Sequence, residues 1–356
     1  MRILVSPLDW GLGHATRCIP IIKHLRSKGV EVVIASDGPQ LKLLQEQFQG
    51  IEHVVLKGYN VKYSWFLPAA VKVALQVPKL MGAIKRENKE LQRILKEKRI
   101  DAVISDNRYG LYTDEVPCVL ITHQLNIQAK TGSQLFSHKV LEFVKKFNVC
   151  WIPDNAGEDN LSGNLSHPIP QGIKAEYIGP LSRFSAAVSA KDMKYDLLVL
   201  LSGPEPQRRI LEKKVINQLG TLPYIKALIV QGLPGSADVA SPFANVDVVP
   251  HLNNVSLMEK IQHSKAIISR PGYSTIMDLA VIGGKRALFI PTPGQTEQEY
   301  LAMRFEALEI AMWVQQQKFV LKDALTRVFS TRGFNTNLYP QVFEQTVDAW
   351  LDSIKK

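Results

Sequence analysis

At 356 residues the chain is long for one core and comfortable for two, because single cores stop growing at roughly 250–300 residues. A hydrophobic content of 46% with 21% charged residues excludes disordered and fibrous classes, and no apolar run reaches the ~18–20 residues a membrane-spanning helix needs. The net charge of +10 leaves nucleic acid, an anionic membrane surface or an acidic substrate as partners. Cys18, Cys118 and Cys150 are scattered without CxxC spacing, which argues against a disulfide framework or a zinc site and for a reducing compartment. The chain starts directly on a strand-like MRILVS, so no signal peptide is expected and a cytoplasmic location is.

In chain order, Arg2 to Ser6 predicts a strand, a glycine-rich turn PLDWGLGHATR follows, and a helix runs from near Ala15 toward Lys28, where Gly29 stops it. Val30 to Ser36 predicts the next strand, so the chain opens as the strand–helix–strand unit of a parallel α/β sheet. Gly11 and Gly13 form a GxG, and Asp37 ends the following strand, but Thr16 stands where a dinucleotide fingerprint has its third glycine. Between Lys57 and Arg99 there are eleven Lys/Arg against three Asp/Glu. Aromatic and aliphatic residues such as Tyr63, Trp65, Phe66 and Leu67 are interleaved with them. This segment reads either as an amphipathic surface lying on anionic lipid or as a core helix with a solvated basic face. Single-stranded nucleic acid suits the same mixture, yet no binding module is recognisable and none is expected.

Asp101 to Ser105 predicts a strand ending at Asp106, Asn107 and Arg108, and Val119 to Thr122 another ending at His123 and Gln124. Both ends should share a rim with His14. A histidine there can take a proton from an acceptor hydroxyl, Asp106 can orient it, and Asn107, Arg108, His123 and Gln124 can hold the acceptor. The plainer alternative is that these polar residues cap helices. Metal ligation by His14 and His123 gets no support from their spacing, and no metal site is expected.

A polar stretch from Asn155 to Pro170 and the segment EYIGPLSR at 176–183 predict a domain boundary. A second α/β unit follows: a strand at 196–201, the small-residue turn SGPEPQR, a helix to about Leu219, and strands at 224–231 and 246–249. The densest chemistry lies in SRPGYSTIMDLAVIGGKRALFIPTPGQTEQEYLA at 269–302. Here a strand end meets a helix N-terminus whose free amides and dipole suit a phosphate, with Arg270 as an added cation. Asp278 suits ribose hydroxyls, and the helix start after Gly294 suits those of a sugar. The implied ligand is a nucleoside diphosphate carrying a sugar. Leu338 to Ile354 has the spacing of a terminal helix.

GLGH at 11–14, IGPLSR at 178–183, SGPEPQR at 202–208 and SRPGYSTIMDLAVIGGKRALFIP with GQTEQEY at 269–300 resemble the UDP-sugar glycosyltransferases of the GT-B fold, specifically the MurG-like branch. The resemblance covers nearly the whole chain. It implies two Rossmann-like α/β domains facing across a cleft: an acceptor domain over 1–175, a donor domain over 176–335, and a terminal helix over 336–356 returning to the first. It implies that Gly13 and His14 lie near the transferred sugar, that Arg183 approaches the diphosphate and that Gly203 lines the cleft floor. His251 would face the uracil, and Arg270, Gly272, Ser274 and Thr275 would cradle phosphates. Asp278 stands where many relatives carry glutamate and would hold the ribose; Gln295, Glu297 and Gln298 would read the sugar hydroxyls.

The chemistry so implied is metal-independent, inverting transfer of a hexose or N-acetylhexosamine from a UDP-sugar, a co-substrate rather than a cofactor. The acceptor would be a hydroxyl of a hydrophobic, lipid-linked or cell-envelope molecule, met on the inner face of the cytoplasmic membrane. No Asp-x-Asp occurs in the sequence. A nucleotide-sugar epimerase of the same fold and a noncatalytic sugar-nucleotide or lipid-binding protein remain the alternatives.

Overall fold

The structure is a computed structural model that describes residues 1–59, 69–126, 133–185, 190 and 192–355, without the side chains of 69–77 and 133–137. It divides into two compact units, one of Met1–Leu181 with Gln341–Lys356, the other Ser182–Pro340.

The first unit runs β1 (Arg2–Pro7), α1 (Leu12–Ser27), β2 (Glu31–Ser36), α2 (Gly38–Gln47), β3 (Glu52–Val55), α3 (Ala69–Lys98), β4 (Ala102–Asp106), β5 (Cys118–Ile121), α4 (Ser133–Val144), β6 (Val149–Ile152) and β7 (Ala175–Tyr177). Its strands lie in the order β3-β2-β1-β4-β5-β6-β7, and every pairing is parallel. The central strands are continuous apolar runs, Ile3-Leu4-Val5 and Ala102-Val103-Ile104, all wholly buried. That is the pattern of a parallel sheet covered by helices on both faces.

The second unit runs β8 (Tyr195–Leu200), α5 (Gln207–Leu219), β9 (Ala227–Val230), β10 (Val246–Val249), α6 (Asn254–Gln262), β11 (Ser264–Ser269), α7 (Tyr273–Ile282), β12 (Arg286–Phe289), α8 (Thr296–Ala307), β13 (Met312–Trp313) and α9 (Leu321–Val328). Its order is β10-β9-β8-β11-β12-β13, again parallel throughout. One core gathers Leu197 and Val199 of β8, Leu211 and Val215 of α5, Ile268 of β11 and Leu321 of α9.

Two boundaries move from their expected places. The polar stretch 155–170 and the cut at 176 fall inside the first unit, because β7 still pairs with β6 through Cys150↔Ala175 and Ile152↔Tyr177; the division comes after Leu181. The terminal helix, expected from 336, is α10 (Phe343–Ile354). Pro340 lacks an N–H and disfavours helix in the residue before it, so Thr336–Leu338 is a separate 3₁₀ turn. From α10, Trp350 packs edge-on against the wholly buried Trp151, ring centroids 5.4 Å apart. Asp348 meets His24 and Lys28 of α1, each at 2.7 Å.

Within the basic segment, 60–68 lies outside the described residues, and so do Tyr63, Trp65, Phe66 and Leu67. The later turns of α3 form a core helix: Ala83, Ile84, Leu91, Ile94 and Leu95 are buried, whereas Lys79, Lys85, Arg86 and Lys89 are exposed. Among the described residues no helix is long and apolar enough to cross a membrane. Buried on the same helix, Glu87 binds Arg108 Nε at 2.5 Å, the Tyr59 hydroxyl at 2.6 Å and the Gly110 amide at 2.8 Å. Arg108 also donates to the carbonyl of Lys57 at 2.7 Å and has no exposed surface. The expectation that Arg108 contacts an acceptor is therefore corrected: its charge neutralises Glu87 and ties α3 to the sheet.

Taking one partner from a buried ion pair leaves the other uncompensated, at a cost of about 3–5 kcal/mol. Arg108→Ala is expected to lower the unfolding free energy by about 3 kcal/mol in a urea titration. A midpoint equal to that of the unsubstituted protein would contradict this assignment.

Candidate functional site

Each sheet reverses its strand order once, and at such a point the loops after the two central strands diverge and open a crevice at their carboxyl ends. In the first sheet the reversal lies between β1 and β4. Asp106 ends β4 in register with Pro7 of β1, and its carbonyl accepts from the Leu8 amide at 3.0 Å. Gly11 then turns the chain at φ +84°, a left-handed conformation that strains any other residue. Helix α1 accordingly starts at Leu12, three residues before the expected Ala15, and puts Gly13 and His14 in its first turn.

The side chains here form one cluster. His14 Nδ1 lies 3.2 Å from Asp106 Oδ2, and the two side chains are 14% and 0% exposed. Arg17, one turn along α1 and 2% exposed, was not foreseen. Its Nε donates to Asp106 Oδ2 at 2.7 Å, its Nη2 to Asp106 Oδ1 and to His14 Nδ1 at 2.8 Å, and its Nη1 reaches His123 Nδ1 at 3.4 Å. The only signal in the sequence was the i, i+3 spacing from His14, which puts both residues on one helix face. Burial pushes the Asp106 carboxyl up, but the Arg17 guanidinium and His14 outweigh it and hold the group below the usual carboxylate range. Burial, then Arg17, pushes His14 below an ordinary histidine, against the opposing pull of Asp106.

Asn107 has a left-handed backbone at φ +59°, and its buried Oδ1 has no partner. Asparagine tolerates this conformation better than most residues, and unpartnered buried acceptors gather at functional sites. His123 is 3% exposed, and the backbone amide of half-buried Gln124 donates to Thr122 Oγ1 at 3.1 Å. His14, Asp106, Asn107 and His123 thus share the rim, and Arg108 leaves it. Among the described residues no three His, Cys, Asp or Glu side chains converge as a metal site would require.

In the second sheet the reversal lies between β8 and β11. Gly203 follows β8 at φ +99°, and a Cβ there would stand 3.4 Å from Thr292 Oγ1. Gly272 is the N-cap of α7, with no side-chain cap and nothing within 4 Å of a Cβ built on it. The N-terminus of α7, where helix amides and dipole favour an anion, thus begins at an uncrowded glycine, with half-buried Ser274 and Thr275 in its first turn. Two hydroxyls missed in the sequence lie along this rim, Ser269 Oγ and Thr292 Oγ1, both buried and without a partner. After β12, Gln298 Oε1 accepts from the Thr292 amide at 2.7 Å, which leaves its NH₂ group to donate. Gln295 and Glu297 flank it, half-buried, at the start of α8, and half-buried His251 follows β10.

Two expectations for this unit are corrected. Arg270 does not offer its charge to a phosphate. Its guanidinium, 1% exposed, donates to the carbonyls of Ile290 (2.8 Å), Pro291 (3.0 Å) and Gln207 (3.0 Å) and to Gln316 Oε1 (2.5 Å). Burial without a carboxylate partner brings it down to about 10. Arg270 fixes the loops that carry Thr292 and the start of α5. Asp278, expected at the ribose, accepts from Ser182 Oγ at 2.6 Å and faces Arg183 Nε at 3.4 Å. Burial pushes its carboxyl up, so it anchors the connector. Arg183 is itself tied to Asn254 Oδ1 at 2.9 Å and stacked over Phe184.

Comparison with known proteins accords with this geometry. The glycosyltransferase family 28 C-terminal domain matches residues 195–342. An uncharacterised glycosyltransferase of Methanosarcina acetivorans is 25% identical over 317 residues, covering 84% of this chain and 82% of its own. Among solved structures, the spinosyn rhamnosyltransferase SpnG complexed with thymidine diphosphate superposes with a TM-score of 0.63 at 15% identity, over 100% of this chain and 96% of its own. MurG of Acinetobacter baumannii superposes with a TM-score of 0.57 at 16% identity, over 99% of each chain. The family model thus accounts for residues 195–342, and the chain is a glycosyltransferase of the GT-B fold.

Proposed function

We propose that the protein moves a hexose or N-acetylhexosamine from a UDP-sugar to a hydroxyl of a hydrophobic or cell-envelope acceptor, with inversion and without a metal. The observation that carries this reading is the half-buried His14, whose Nδ1 edge faces the ionised, fully buried Asp106 at 3.2 Å on the carboxyl rim of the first sheet. In this reading His14 Nε2 takes the proton of the acceptor hydroxyl as its oxygen attacks the anomeric carbon. The bond from that carbon to the diphosphate breaks, and its electron pair leaves with the nucleotide. The N-terminus of α7, with its helix dipole, receives the developing charge, a contribution worth most where water is excluded. Arg183 assists once it exchanges Asp278 for phosphate.

Support for a nucleoside diphosphate comes from the uncrowded N-cap at Gly272, the left-handed turn at Gly203 beside Thr292 and the thymidine diphosphate in the SpnG complex. The sugar is read by Gln298, whose free NH₂ group points to hydroxyl recognition, with Gln295, Glu297, Ser269 and Thr292. Support for an apolar acceptor comes from Trp10, 43% exposed in the loop that delivers His14. Contact with an anionic membrane through the basic segment 57–99 fits the exposed Lys79, Lys85, Arg86 and Lys89.

Four outcomes are expected. Incubated with UDP-sugars and candidate acceptors, the protein releases UDP in an acceptor-dependent way, and His14→Ala lowers kcat by about 10²–10⁴-fold. Full activity in that variant would remove His14 as base. Because the base works unprotonated and its pKa is lowered, kcat/KM holds level through neutral pH and falls only below the ordinary histidine value of about 6.5. Thr292→Val, which deletes one hydroxyl at nearly constant shape, raises the donor KM about fivefold, the equivalent of ~1 kcal/mol, with little change in kcat. Binding to vesicles containing anionic lipid weakens with salt and with the double change Lys79→Glu/Lys85→Glu; salt-independent binding would contradict the membrane contact.

A further inference from the structure

The guanidinium of Arg17 raises a question of hydrogen-bond direction at His14. Arginine has only N–H donors and a carboxylate only acceptors, so the protons in this cluster can be assigned. Arg17 Nη2 carries two hydrogens, and it has two partners, Asp106 Oδ1 and His14 Nδ1, the latter at 2.8 Å. Nε–H goes to Asp106 Oδ2 at 2.7 Å, and Nη1 faces His123 Nδ1 at 3.4 Å. Nδ1 of His14 is therefore an acceptor, and the longer 3.2 Å approach to Asp106 Oδ2 sets a lone pair against a carboxylate. A neutral imidazole that accepts at Nδ1 carries its hydrogen at Nε2. That nitrogen is the one through which a base would receive the acceptor proton.

We propose that Arg17 is the positioning residue that sets the tautomer of His14: it holds the ring as Nε2–H, and the dyad becomes a base only when the guanidinium yields Nδ1 to Asp106. This deepens the reading of His14 as base and rests on it. For transfer, the Nε2 proton passes to solvent, a solvent proton is taken up at Nδ1, and Nδ1–H then donates to Asp106 Oδ2. The lone pair freed on Nε2 accepts the hydroxyl proton of the incoming acceptor, giving an imidazolium that the carboxylate stabilises. The charged and titratable groups acting on the ring are Arg17 of α1, Asp106 of β4 and His123 after β5; Cys18 and Tyr109 act on Asp106 and Arg17. Burial pushes both Cys18 and Tyr109 up, so neither adds charge at neutral pH.

The test is the ¹⁵N signature of His14 in the full chain labelled at histidine, read at pH 8 without acceptor and assigned by its loss in His14→Ala. The expected result is a bare Nδ1 and a protonated Nε2; a protonated Nδ1 in the unsubstituted protein would overturn the proposal. Arg17→Met is expected to move the proton to Nδ1 and to shift the acidic limb of kcat/KM upward by about one unit or more, since Asp106 then acts on the ring unopposed. A folded Arg17→Met protein that turns over more slowly on an unmoved acidic limb, with an unchanged tautomer, would make Arg17 merely structural. The unsubstituted protein's tautomer decides the matter alone if that variant does not fold. It is read without turnover, so it fails or holds separately from the role of His14 as base.

Discussion

The first unit is organised around a carboxylate that cannot be left unpaired. Asp106 is wholly buried at the end of a central strand, where an ionised group survives only with close charge-assisted partners. Arg17 meets that need, and the same helix turn brings His14 to the carboxylate. Helix α1 is thereby pinned to the carboxyl rim of the sheet, and the glycine at 11 that starts it has a fixed conformation to adopt. The electrostatics of this rim follow from this one pair. The carboxylate stays ionised, the histidine stays neutral, and the guanidinium mediates between them.

The second unit solves a related problem with a cation instead of an anion. Arg270 follows β11, where a phosphate-binding arginine was expected, and turns inward to gather three carbonyls from two segments. Its charge is dispersed over neutral acceptors, and the loops after β12 and before α5 are held in consequence. In the proposed function, anion binding then falls to the N-terminus of α7 at Gly272, which needs no side-chain charge. Asp278 and Arg183 make the same point. Charged residues in a family motif acquire partners in the folded chain, and those partners set what each can still reach.

Much of the fold was legible because parallel strands are written in continuous apolar runs. Ile3-Leu4-Val5, Asp196 to Leu201 and Ala266 to Ser269 each mark a strand, and glycine-rich turns mark the helix starts after them. The small-residue turns at 11–14, 202–204 and 270–272 were legible for the same reason. Side-chain direction was not. Arg108 and Arg270 follow strand ends as binding residues do, yet both turn into the interior, because a buried carboxylate or a set of carbonyls lies within reach of a long guanidinium. Glu87 is 21 residues from Arg108 along the chain, and no local pattern announces that pairing.

The sequence by itself determined the α/β class, the two-unit plan and the loops that carry the chemistry, since these depend on hydrophobic periodicity and on glycine at left-handed turns. Tertiary structure alone decided which polar side chains are available. Partner choice among buried charges depends on distances between segments far apart in the chain, as with Arg17 and Asp106, 89 residues apart. The proposed tautomer of His14 depends on Arg17, one turn along the same helix, but that guanidinium is held in place by Asp106, 92 residues from the histidine.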